Sequence, residues 1–140
     1  MSSRKLVIIL LVATLVIAPL AATVYYVTRD EETHTLTGSF VLINPDLINK
    51  LGRYCTGQRG YGDLRQGTRV TLWDAHSNII ATGATSTGIQ GESECTFNFS
   101  LDDVPEVEEY HLQFTDRPVS VFGRSQLEQS NWVVRVDVGD

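Results

Sequence analysis

Two hydrophobic patterns divide the chain. From Leu6 to Val27 the side chains run for 22 positions without a charge, whereas from Thr35 onward apolar and polar residues alternate in short stretches. At 1.5 Å per residue the first run predicts a helix about 33 Å long, enough to cross the hydrocarbon core of a bilayer. The second pattern has period two, the signature of half-buried strands. Strands are expected at Thr35–Ile43, Arg69–Trp73 and Ile79–Thr82, the latter two forming a hairpin around Asp74–Asn78. Cys95, Phe97 and Phe99 alternate with Thr96, Asn98 and Ser100; Tyr110, Leu112 and Phe114 alternate with His111 and Gln113. Trp132, Val134, Val136 and Val138 mark a last strand, with Arg135 and Asp137 pointing away. One short helix is expected at Ser125–Ser130, where Ser125 and Glu128 match a capping box.

About seven strands separated by turn signals argue for an all-β protein, a β-sandwich of immunoglobulin or transthyretin type. The flanks of the apolar run set its orientation. Arg4 and Lys5 precede it, and Asp30, Glu31 and Glu32 follow it. The positive-inside bias then puts residues 1–5 in the cytoplasm as a tip, 6–27 in the membrane as an anchor, 28–34 outside as a stalk and 35–140 outside as the sandwich. Tyr25 and Tyr26 suit the outer headgroup level, and Pro19 is tolerable as a kink. A cleaved signal peptide is the alternative, with Ala21 and Ala22 near the cut. Against it, Leu20 would occupy the −3 position, and the apolar run continues to Val27. Either way the expected domain is extracytoplasmic.

Charge narrows the partners. The whole chain carries −6, but after Val27 there are 9 Lys/Arg against 17 Asp/Glu, leaving −8. Nucleic-acid contact needs a clustered basic footprint, so that class is excluded. The length of 140 residues leaves no room for a second core and excludes multidomain enzymes. Cys55 and Cys95 are the only cysteines. An even count in an exported domain predicts a disulfide, worth about 4 kcal/mol for a loop of this length. A two-cysteine metal site is the alternative, but neither belongs to a CxxC pair and no histidine lies at ligand spacing. Cys95 shares a face with Phe97 and Phe99, so Cys55 is expected against the core, tying the 44–67 loop to the sandwich.

Residues 52–67 fit a sandwich least. Five glycines, two tyrosines, three arginines and a cysteine fall within sixteen positions. Arg53, Arg59 and Arg65 could meet an anionic ligand, with Tyr54 and Tyr61 stacking on it. A phosphate cradle needs its glycines between a strand and a helix, and this spacing fits none. The plainer reading is a long loop needing glycine for its turns and a disulfide to hold it. His34, His76 and His111 fall in the stalk, a hairpin turn and an outward strand position, and read as solvated. The acidic run from Asp102 to Glu109 reads as a solvated loop rather than a calcium site. No GxSxG or HExxH is present.

The order of motifs is familiar. Gly38 is followed by Cys55-Thr-Gly57, Gly60-Tyr61-Gly62-Asp63-Leu64, and Gly67-Thr-Arg-Val70-Thr-Leu72. Then come Ile80-Ala-Thr-Gly83, Cys95-Thr-Phe97-Asn-Phe99, Val104-Pro105, Tyr110-His-Leu112, and Leu127 with Trp132. This resembles small exported domains of actinobacterial cell envelopes, and from Gly67 to Phe114 it resembles transthyretin-like and collagen-adhesin B-type sandwiches. The resemblance implies an envelope location, a sandwich and a Cys55–Cys95 bridge; it supplies no catalytic residues. The lipobox of lipid-anchored members is absent, which puts the weight on the helical anchor. The expectation is therefore a membrane-tethered binding domain without catalytic activity or cofactor, with a protein partner in the envelope or membrane. An accessory subunit of a larger membrane complex is the alternative. A small-ligand binder or enzyme using the 52–67 loop is the third.

Overall fold

The alternating half of the chain folds into two facing sheets in a computed structural model that describes residues 31–140. The apolar run at 6–27, with the anchor and signal-peptide readings that rest on it, lies outside the described residues. No helix among the described residues is long and apolar enough to cross a membrane. Residues Glu32–Asp140 form one compact unit. Ten strands carry it: β1 (Thr33–Leu42), β2 (Ile48–Leu51), β3 (Tyr54–Gly57), β4 (Arg69–Asp74), β5 (Ile79–Ala84), β6 (Gly88–Gln90), β7 (Cys95–Pro105), β8 (Glu109–Phe114), β9 (Ser120–Gly123) and β10 (Val133–Val138). A single helical turn spans Pro45–Leu47, and helix α1 (Arg124–Gln129) joins β9 to β10.

The larger sheet runs β10-β1-β7-β6-β3-β2 and the smaller β5-β4-β8-β9. Every pairing is antiparallel except β1 with β10, which is parallel and places Thr37 opposite Val133 and Leu42 opposite Val138. The alternating residues interdigitate between the sheets. Phe40, Leu42, Phe97, Phe99 and Leu101 from the larger sheet meet Val70, Leu72, Tyr110, Leu112 and Phe114 from the smaller, all buried. Each such side chain contributes about 1.5–3 kcal/mol on leaving water. Phe40 anchors the layer, its ring 4.3 Å from Phe114 and 5.2 Å from Phe99 between centroids. Gly83 of β5 lets the two sheets close at one side: a Cβ there would lie 2.7 Å from Leu101 Cδ2 and 2.9 Å from the Ser100 carbonyl oxygen.

Cys55 and Cys95 form the expected disulfide, with Cα atoms 6.0 Å apart and both residues buried beside Phe97. Beside the bridge, a Cβ on Gly88 would come within 2.6 Å of Phe97 Cε1. The bridge holds β3 rather than a bare loop. The stretch expected as a 44–67 loop contains the β2–β3 hairpin, with Tyr54 and Cys55 in strand β3.

Three local expectations are corrected. The helix begins after Gly123 with no side-chain cap, so Ser125 lies inside its first turn and forms no capping box. His34 belongs to β1 rather than to a solvated stalk. Its ring stacks on Trp132 at 4.1 Å and its Nε2 lies 3.0 Å from Glu106 Oε1. The acidic run is a loop only at 106–108: Asp102 to Pro105 extend β7, Glu109 opens β8, and Glu106 also pairs with Arg124 at 3.5 Å. Beneath this cluster Tyr110 is fully buried, its hydroxyl donating to the Pro105 carbonyl at 3.1 Å and accepting the Val107 N–H at 2.9 Å. That back-bonding matches the tyrosine corner of Greek-key sandwiches.

Candidate functional site

The seam between the edge strands β9 and β10 is the feature that sets up a site. Helix α1 closes one end of it, with Leu127 fully buried as a plug. Toward the other end nothing in the described residues covers it. A cleft of about 330 Å³ opens there, floored by Phe40, Phe114, Val136 and Val138 and rimmed by Tyr61 and Arg117. Its mouth is framed by Val119 and Ser120 on one side and by the Asp137–Asp140 stretch on the other. Val136 and Val138 of β10 line this floor and stay only partly buried.

Arg117 organises the rim. The β8–β9 turn carries it across to the 58–67 segment, where its guanidinium bonds to both carboxylate oxygens of Asp63 and donates to the Gly60 carbonyl at 3.1 Å. Thr115 Oγ1 donates to Asp63 Oδ2 at 3.0 Å, and the guanidinium carbon lies 4.2 Å from the Tyr61 ring centroid. A fork-on-fork pair capped by an aromatic face is a stiff arrangement. Partial burial by itself raises the Asp63 pKa, but the hydrogen bonds from Arg117 and Thr115 and the guanidinium charge outweigh it. The carboxyl therefore titrates below its ordinary range, and at neutral pH the pair carries no net charge.

Of the residues singled out by sequence, only Tyr61 reaches this cleft. Arg53 sits in the β2–β3 turn, where its carbonyl accepts from Gln90 N–H at 3.0 Å. Tyr54 faces outward on the larger sheet, opposite Leu51 and Ile89 in register, all three exposed. Arg59 is exposed in a turn at φ 51°, and Arg65 is exposed while its carbonyl accepts from Thr68 Oγ1 and Thr85 Oγ1. The three arginines thus occupy three different turns, and among the described residues their side chains share no partner. Sequence reasoning missed Arg117, and it expected Val136 and Val138 as strand positions but not as the lining of a cleft. Asp63 and Arg117 stand 54 residues apart, and no local pattern joins them.

Chemically, the cleft offers apolar walls, a neutralised ion pair and, at its mouth, the acidic residues Asp137 and Asp140. Among the described residues no group of three His, Cys, Asp or Glu side chains could hold a metal ion. No family model, no curated protein and no solved structure matches the chain.

Proposed function

We propose that the chain is a membrane-tethered binding domain, displayed outside the cytoplasm by the 6–27 helix, that acts by engaging a protein partner rather than by catalysis. The observation that carries the binding part is the preformed seam cleft, with an apolar floor open to solvent. Ligand sites are typically concave, mostly apolar and largely preformed. The size and lining suit one or two apolar side chains of a partner, with Arg117 and Tyr61 as a rigid rim. The tether rests on the charge-free run and its basic leading flank. The disulfide supports export, because such bridges persist in oxidising compartments. The envelope-domain resemblance points the same way.

Purification of the full chain from membranes in mild detergent, through a C-terminal tag, tests the reading. An intact mass that retains residues 1–27 supports the tether; loss of about 20 residues overturns it. A stoichiometric membrane protein that co-purifies and resists salt favours the accessory-subunit form of the same function. Recovery of the domain alone favours a transient partner.

A further inference from the structure

A second face of the molecule carries different chemistry. The outer surface of an antiparallel sheet in a sandwich is ordinarily polar. On the smaller sheet, strand register instead places Ile79, Trp73, His111 and Val121 side by side in one row across β5, β4, β8 and β9. At the spacing of neighbouring strands the row is roughly 14 Å long. Its two ends are open, Ile79 being 56% and Val121 52% exposed. In the next row Thr82 and Gln113 flank Thr71, which is itself buried. A shallow cleft of about 290 Å³ lies over this face, lined by Trp73, Asp74, Ser77, His111, Gln113 and Val119.

The polar groups around the indole are held in place. The Asp74 carboxylate accepts from the His76 and Asn78 backbone N–H groups and from Asn78 Nδ2, each at 2.8 Å. His111 Nε2 lies 2.6 Å from Glu109 Oε1. Gln113 donates through Nε2 to the Arg117 carbonyl at 3.2 Å, which leaves its amide oxygen as an acceptor. No lysine or arginine lines the cleft.

We propose that this face binds a neutral saccharide chain. A sugar ring is amphiphilic in the same way as the site. Its C–H face packs on an aromatic ring, and its hydroxyl edge pairs with planar acceptors and donors of fixed direction. A row one residue wide, crossing four strands, suits a linear chain better than the broad apolar patch of a protein interface. An anionic ligand is disfavoured because the lining holds no lysine or arginine and the segment from Thr28 onward carries −8. The site adjoins the seam cleft at Val119, which lines both, but its indole, histidine and amide belong to this face alone, and the inference goes beyond the tethered-domain reading.

The test uses the isotopically labelled full chain in a non-glycosidic detergent, titrated with maltohexaose, cellohexaose, mannohexaose and chitohexaose. The chain has two indole N–H groups, Trp73 and Trp132. The expected result is that at least one oligosaccharide shifts the Trp73 resonance and leaves Trp132 in place. Trp73→Ala then weakens that binding by at least about tenfold, the scale of one lost stacking contact, without lowering Tm. Two results overturn the proposal: no oligosaccharide moves the Trp73 signal, or Trp73→Ala binds as tightly as the parent. It also falls if Trp73→Ala converts a dimer to a monomer in sugar-free sedimentation, because the face is then a self-association surface. Loss of a crosslinked adduct on Val136→Asp, at a floor position that lines the seam cleft alone, reads out the tethered-domain proposal separately.

Discussion

Removing the Cys55–Cys95 bridge probes how far this small sandwich depends on a covalent staple. The two cysteines are separated by 40 positions, and the loop they close includes β4 and β5, two of the four strands of the smaller sheet. In the chain-entropy picture, closing a loop of that size restricts the unfolded ensemble by about 4 kcal/mol. Replacing both residues with alanine adds a packing loss of about 1 kcal/mol, because both sulfurs are buried against Phe97 and beside Gly88. Urea unfolding followed by far-UV circular dichroism measures the sum. With a slope of about 1.5 kcal/mol/M for a domain of this size, the midpoint falls by roughly 3 M. Reduced wild-type protein keeps both sulfurs and isolates the cross-link part. The reasoning is refuted if the reduced protein and the Cys55→Ala/Cys95→Ala variant both lose less than about 1 kcal/mol, since the unfolded chain would then have little to restrict.

Three further outcomes follow from the geometry. Gly83→Val drives a side chain into Leu101 and the Ser100 carbonyl, and should lower stability by about 1–3 kcal/mol in the same urea assay. Tyr110→Phe deletes a hydroxyl that bonds to both Val107 and Pro105, at a cost of about 1–2 kcal/mol. Burial raises the Tyr110 pKa, so wild-type stability is full below pH 10 and declines as pH rises through the elevated folded value; the phenylalanine variant should lack that alkaline component. Asp63 behaves oppositely. Its pKa is depressed in the fold, so its contribution is present at neutral pH and is lost as pH falls through the lowered value. Asp63→Asn should flatten that acid limb in pH-dependent melting, and a wild-type acid limb unchanged by the substitution would contradict the Arg117 latch.

The strands readable in advance were those long enough to show alternation. Thr35–Ile43 corresponds to β1, Tyr110–Phe114 to β8 and Trp132–Val138 to β10, and each differs from its expected bounds by one or two residues. The missed strands, β2, β3, β6 and β9, are three or four residues long and read INKL, YCTG, GIQ and SVFG. So short a segment has no periodicity of its own, and its backbone is held by neighbours distant in sequence. The clefts were hidden for a related reason. Trp73 and Val121 become neighbours only through His111 between them, and Val136 lines an opening together with Phe40, Phe114 and Arg117, all distant in sequence. Arg117 carries no local signal in the sequence, since its partner Asp63 belongs to another loop. What the sequence did expose was the shared face of Cys95, Phe97 and Phe99, and hence the position of the staple.

The central claim is that the seam cleft is a partner site on an exported, tethered domain. Site-specific photocrosslinking in intact cells tests it most directly, with a benzophenone side chain replacing Val119 in the full chain. The account predicts one discrete adduct, lost when Val136→Asp places a charge on the cleft floor of a variant that still folds and reaches the membrane. An adduct that survives Val136→Asp, or the absence of any adduct from Val119, would contradict it.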